Sequence, residues 1–370
     1  MPWSTSTDVR EFLVAAGDFL REDPVGNTLL LSEAAYLEAR PTPRNQLYGW
    51  WTDVSGAVTA AFLQAPDHSP VLSPVREDVA SREASAGSVA SDGIPAEDAG
   101  SLGVSPEDAG SLGVSAESAG SRGVSAETAG SRGVVAEGAG SRGASVEDAS
   151  RSAAGLRRVV PGDTVDGRID GGGKTASGEA LWGLAGLLPG VTRLSVDARN
   201  AGDVVAAWRG CSGVTLTERS RVTLCRLAAP RLPAPSSGRA RRAGPGDREL
   251  LVGWFHELMA AKPDDASDLA YVIDDPLDYG GITVWEVDGV PVAMAGRSRV
   301  VAGMTRVGAT YAPGGDRYGQ AVFAAACAEA VGVARHVVLL TTDVAGHAAL
   351  GFAPVGELVT LEVPARTDLG

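Results

Sequence analysis

Sixty consecutive residues, Ser91 to Ser150, run in tens: SDGIPAEDAG SLGVSPEDAG SLGVSAESAG SRGVSAETAG SRGVVAEGAG SRGASVEDAS. Each unit brings one or two small aliphatic side chains, no aromatic, and two glycines in most copies. A period this short must stack as a solenoid or not fold at all, and these units lack the apolar area to offset backbone ordering. Ten acidic residues against three arginines give the repeat a net charge of −7, half of the chain's −14. The composition predicts a disordered acidic Gly/Ala/Ser insertion over residues 76–160. Whatever folds is built from the segments before and after it.

The remainder has ordinary globular means. The chain has 370 residues, enough for two to three domains, and 44% are hydrophobic. Its negative charge argues against a nucleic-acid partner. The one basic run, GRARRAGPGDR, is short and reads as a solvated strand and linker. Cys211, Cys225 and Cys327 are scattered, and His68, His256, His336 and His347 stand at no metal-ligand spacing, so no metal is expected. The N-terminus has no signal-peptide pattern and no segment reaches 18 apolar residues, which predicts a cytoplasmic protein with no membrane partner.

Before the repeat, DVREFLVAAGDFLRED has helical apolar spacing after cap-forming residues. NTLLLSEAAYLEA reads as a strand running into a helix, and LYGWWTDVSGAVTAAFLQAP as two strands around an Asp-Val-Ser-Gly turn. After it, ALWGLAGLLPGVTRLSV reads as helix then strand, NAGDVVAAWRGCSG as a helix with a glycine stop, and VTLTERSRVTLCRL as a strand. Residues 1–75 and 161–230 thus form one split N-terminal α/β domain, closed by the Pro-rich linker AAPRLPAPSSG. GRIDGGGKT has the end of a phosphate-binding loop, but the required glycine position holds Arg168, so it reads as linker. Trp50, Trp51 and Trp254 read as core.

The second domain, residues 238–364, opens with the helix GDRELLVGWFHELMAA. GGITVWEVDGVPVAMAGRSRV follows as a hairpin around Asp288-Gly289. Then come the strand TRVGATY, a Gly-rich turn, the helix YGQAVFAAACAEAVG, the apolar strand HVVLLTTD and a last strand GELVTLEV. This is an α+β layout.

These segments, in this order, resemble the GNAT (N-acetyltransferase) superfamily, and the two-part chain looks like a two-domain bacterial type with a degenerate CoA-binding motif. The resemblance implies a mixed sheet flanked by helices and acetyl transfer from acetyl-CoA to an amine, without metal. It places the pantetheine arm along Ala309, Thr310, Tyr311 and Ala312. It places the pyrophosphate on Arg317, Tyr318, Gly319, Gln320 and Ala321, at a helix N-terminus. Glu286 is its candidate catalytic base. The family's Gln/Arg-x-x-Gly-x-Gly/Ala pattern falls here on GGDRYG, with Gly314 and Arg317 at its first two fixed positions and Gly319 alone retained. Between Asp343 and Gly351 only seven residues remain, which predicts a clipped loop without the family's helix and tyrosine acid, and His347 as an exposed bystander. The expected function is an acetyl-CoA-dependent N-acetyltransferase with a small-molecule or protein amine as acceptor. The alternative is a catalytically impaired GNAT-fold binding or interaction protein. The sequence leaves the oligomeric state open.

Overall fold

In the computed structural model, the residues described are 3–41, 46–66, 68–76, 176–231, 237–262, 265, 267–313 and 316–364. The decapeptide repeat, the loop glycines Gly314 and Gly315, and residues 232–236 of the Pro-rich linker lie outside them.

Among the described residues one succession of helices and strands, β-α-α-β-β-β-α-β-α-β, occurs twice. The first half contains β1 (Ser4–Ser6), α1 (Val9–Glu22), α2 (Thr28–Ala39), β2 (Leu47–Thr52), β3 (Val58–Gln64) and β4 (Val71–Leu72). It continues with α3 (Ala176–Leu187), β5 (Arg193–Asp197), α4 (Ala201–Ser212) and β6 (Thr217–Leu227). The second half contains β7 (Arg239–Arg242), α5 (Arg248–Ala260), a π turn (Ala270–Asp274) leading into α6 (Asp275–Asp278), β8 (Ile282–Val287), β9 (Val290–Arg297) and β10 (Met304–Tyr311). It ends with α7 (Asp316–Val331), β11 (His336–Thr341), α8 (Val344–Ala349) and β12 (Phe352–Glu362). The junction between β4 and α3, where the repeat is inserted, therefore corresponds to the Gly-rich turn between β10 and α7.

The strands join in the order β1-β2-β3-β4-β5-β12-β6-β11-β10-β9-β8-β7. Each half's last strand has crossed to the other half: β12 pairs antiparallel with β5, and β6 pairs antiparallel with β11. The exchanged strands pair with each other from Phe352↔Leu227 to Glu362↔Thr217. The described residues belong to one compact unit. The last strand, which the sequence assigns to the second domain, thus completes the sheet beside β5. Its alternation fits any antiparallel neighbour, so nothing local in GELVTLEV chooses the partner.

Helices cover both faces, in agreement with the α+β class. Phe12, Leu20, Leu30, Leu31 and Leu37 of α1 and α2 pack on Tyr48, Leu63, Leu224, Met304 and Val338. On the opposite face α3 and α4 bury Leu181, Leu184, Val204 and Trp208 against Leu194, Val196, Val359 and Leu361. In the second half α7 packs Val322, Phe323 and Ala326 on Ala295, Val307 and Leu339, and α5 packs Leu251, Trp254 and Phe255 on Val284 and Met294.

Local chemistry accounts for most boundaries. Asp8 caps α1 by accepting the Arg10 N–H at 2.8 Å. Gly213, at φ 73°, ends α4. Asp288 and Gly289 both have positive φ, 52° and 81°, as a two-residue hairpin requires. Two expectations are corrected. Leu29–Leu31 are helical, not strand: α2 starts at Thr28, and a continuous apolar run suits a helix sandwiched between sheet and neighbouring helix. The segment after Asp343 contains a short helix, α8, because the Asp343 carboxylate accepts the Gly346 N–H at 2.9 Å and caps it.

Candidate functional site

The parallel pair β10 and β11 parts midway. Pairing runs from Met304↔His336 to Arg306↔Val338 and stops there, although β10 continues to Tyr311 and β11 to Thr341. Each strand keeps its outer partner beyond that point. Leu339–Thr341 pair with β6, and Val307 and Gly308 pair with Arg297 and Gly296 of β9. A wedge opens between them whose facing edges carry unpaired backbone N–H and C=O groups, a template for an extended, amide-bearing chain. β10 is irregular at the same place. Its register with β9 shifts between Gly308 and Tyr311, and Ala309 has φ 49°. A bulge with a non-glycine residue at positive φ stores strain and re-aims backbone groups.

The helix α7 begins beside the mouth of the wedge. A Cβ placed on Gly319 would stand 3.7 Å from the Ala312 Cβ and 4.0 Å from the Thr310 Cγ2, so the first turn faces the end of β10. Its leading N–H groups have no intrahelical acceptor, and its dipole favours an anion there. Of the residues expected at this site, Ala309, Thr310, Tyr311 and Ala312 stand at the wedge, and Arg317, Tyr318, Gly319, Gln320 and Ala321 occupy the helix start. Tyr318 is buried in the α7 core. The Arg317 guanidinium lies 4.3 Å from its ring and donates to its hydroxyl. Tyr311 turns its hydroxyl to Glu257, which raises the phenol's pKa.

Glu286 is elsewhere. It is buried on β8, two strands from β10, and accepts from Arg241 and from Arg239 at 3.4 Å. Arg241 continues to Asp247 through two contacts of 2.7 Å. Arginine donation holds the Glu286 carboxyl below its ordinary pKa. His347, expected to be exposed, is half-buried on α8. Its ring meets Phe323 and Phe352 edge-on, with centroids 5.3 and 6.3 Å away. Its Nδ1 lies 2.6 Å from the Asp343 carbonyl. A carbonyl only accepts, so Nδ1 carries a proton.

Sequence reasoning missed the cleft beside the wedge. On the α2 face a cavity of about 350 Å³ is lined by Tyr36, Tyr271, Tyr279, Arg297, Arg306 and Ala309, among others. Its walls come from both halves, α2 on one side and the π turn with α6 on the other, a pairing no local pattern announces. Tyr36 and Tyr271 meet edge-on at 4.9 Å, and burial pushes the Tyr36 hydroxyl up to about 12. Among the described residues no group of three or more His, Cys, Asp or Glu is placed to hold a metal, and no helix is long and apolar enough to cross a membrane.

No family model matches the chain, and no curated protein matches it. Solved structures do, and GNAT acetyltransferases are among these structural neighbours. A GCN5-related N-acetyltransferase from Kribbella flavida is 22% identical, covering 47% of this chain and 68% of its own, with a TM-score of 0.37. A GNAT-family acetyltransferase from Colwellia psychrerythraea is 9% identical, covering 98% of this chain and 100% of its own, at 0.46. A Drosophila protein is 10% identical over 98% of each chain, at 0.49.

Proposed function

We propose that the chain is an acetyl-CoA-dependent N-acetyltransferase of the GNAT superfamily, with one acyl-CoA site in its second half. The observation that carries this reading is the wedge between β10 and β11, whose unpaired edges match the amides of a pantetheine arm. Ala309–Ala312 would pair with that arm. The start of α7, from Arg317 to Ala321, would receive the pyrophosphate on backbone N–H groups and the helix dipole. The thioester then lies at the bulge of β10, where the first cavity meets it.

The cavity admits the acceptor amine to the thioester from the α2 face. A neutral amine attacks the thioester carbonyl carbon with its lone pair, and the carbonyl electrons move to oxygen. The C–N bond forms, the tetrahedral adduct collapses, the C–S bond breaks, and the proton lost by the amine nitrogen passes through water to the leaving thiolate. The leaving thiolate is tolerable near neutral pH, since a free thiol has a pKa of about 8.5. Backbone N–H groups at a bulge are suited to the developing oxyanion, because they are fixed in place before reaction.

The test has two parts. Calorimetry with CoA and acetyl-CoA measures binding, and thiol release over a panel of amines measures turnover. Binding with turnover is the expected result. Binding without turnover favours the second reading, a GNAT-fold binding protein, for which the absence of tyrosine from α8 speaks. No binding of either compound defeats both.

A further inference from the structure

Two cavities adjoin on the α2 face. The first contains the edge of the wedge, Val307–Ala309 with Leu340. The second, of about 820 Å³, lies over the seam of exchanged strands. It has Ser195, Ser220 and Thr360 on its floor and Glu33 and His68 on its walls. Asp265, Ser267, Tyr271 and Arg306 line both, and so form the waist between them, with Arg306 its one cationic side chain. Acyl transfer needs only the first cavity. The second has the size of a small-molecule site, and its hydroxyls suit a polar occupant.

Arg306 differs from the arginines around it. Arg299 contacts Asp275 at 2.7 Å, Arg40 contacts the same carboxylate at 3.2 Å, and Arg248 contacts Asp274 at 2.8 Å. Arg306 donates to the Tyr271 hydroxyl at 2.6 Å. It forms no ion pair within 4.0 Å among the described residues. A guanidinium has five donors, so most of its capacity faces the cavities. Glu33 stands nearby with no hydrogen-bond partner among the described residues; burial raises its carboxyl pKa, and the charges of His68 and Arg306 oppose that rise. A half-buried guanidinium with no carboxylate in direct contact keeps donors unmatched, at a cost. It is a ready seat for a planar anion that accepts two parallel N–H bonds.

We infer that the acceptor is a small amine that also carries a carboxylate, seated with the carboxylate on Arg306 and the amine toward Ala309. This rests on the acetyl-transfer reading above. The rest of the acceptor extends into the second cavity, where Glu33 and the three hydroxyls meet its polar groups. A lysine on a protein surface or a simple polyamine brings no carboxylate to the waist and leaves Arg306 unsatisfied.

The experiment compares the twenty proteinogenic L-amino acids with the amines obtained by decarboxylating each. Thiol release from acetyl-CoA and calorimetric binding without acyl-CoA are both measured, for the parent, Arg306→Met and Arg306→Lys. At least one amino acid should surpass its decarboxylated amine by about ten- to a hundredfold in kcat/KM, the range of a charge-assisted contact. Arg306→Met should erase that preference mainly through KM, and Arg306→Lys should restore part of it. Thermal melting confirms that each variant is folded. Turnover with equal or better use of the decarboxylated amines overturns the inference and leaves acetyl transfer standing. Arg306-dependent binding of an amino acid without turnover defeats acetyl transfer and with it the acceptor role, leaving only a carboxylate seat on Arg306. A parent that binds no amino acid, or a preference unchanged in folded Arg306→Met, also overturns it.

Discussion

The Asn200 side-chain oxygen accepts the backbone N–H of Val75 at 3.1 Å. Val75 follows β4 and Asn200 follows β5. The bond therefore bridges the first half's parallel pair beyond Val71↔Ser195, at the place where β10 and β11 stand apart. The duplicated topology offers two wedges, and one is closed by the protein's own side chain. Acyl-CoA should accordingly bind once per chain, which the stoichiometry of a calorimetric titration checks. Asn200→Ala should destabilise the fold by about 1–3 kcal/mol, because it leaves the Val75 N–H buried and unpaired. A stoichiometry of two in the parent protein refutes the assignment.

Gly319 separates shape from fold at the open wedge. A Cβ there meets Ala312 at ordinary contact distance, so Gly319→Ala should fold and bind CoA within a few fold of the parent. Gly319→Glu sends a charged side chain toward the mouth and should abolish CoA binding by bulk and repulsion while thermal melting stays cooperative. Undiminished binding by Gly319→Glu would place the pyrophosphate away from α7.

The legible parts of this chain were those specified by local chemistry. The Asp288-Gly289 hairpin, the Gly213 stop and the helical periodicity of α1 each follow from a few adjacent residues. The exchange of β6 and β12 does not, because an alternating strand accepts either neighbour, and which one it meets is settled by packing across the sheet. The wedge was legible only as the strand, glycine turn and helix around it. The first cavity was hidden because two of its walls, Tyr36 and Tyr271, are separated by most of the chain. Glu286 was legible as a carboxylate on a strand, but its arginine partners come from a segment that reads as solvated.

Arg241 joins Glu286 and Asp247 and holds both carboxyls below their ordinary pKa, chiefly through hydrogen bonds. A carboxyl with a depressed folded-state pKa stabilises the fold at pH above its unfolded value, and that contribution disappears as pH falls through the folded value. The loss therefore occurs in acid, below the usual carboxylate range of about 4. Arg241→Met should raise the pH of acid unfolding and leave the slope of stability near neutral pH unchanged. Glu286→Gln should do likewise, with kcat/KM lowered less than tenfold. A loss of about 10²–10⁴ in kcat would instead mark Glu286 as the proton acceptor.

His347 takes part in the fold of α8. Its Nδ1–H donates to the Asp343 carbonyl, and its ring is edge-on to Phe323 and Phe352. Removing it costs a ring contact of about 0.5–1.5 kcal/mol together with one hydrogen bond. His347→Ala should therefore lower the melting temperature while thiol release changes by less than about tenfold, since a dedicated acid accounts for about 10²–10⁴. The control is His347→Gln, which keeps a donor for Asp343 but cannot shuttle a proton at neutral pH. If both variants lose rate alike and the alkaline limb of the pH–rate profile disappears with them, Nε2 is the group that protonates the leaving thiolate. If His347→Gln recovers stability and the rate is retained in both, the imidazole is structural.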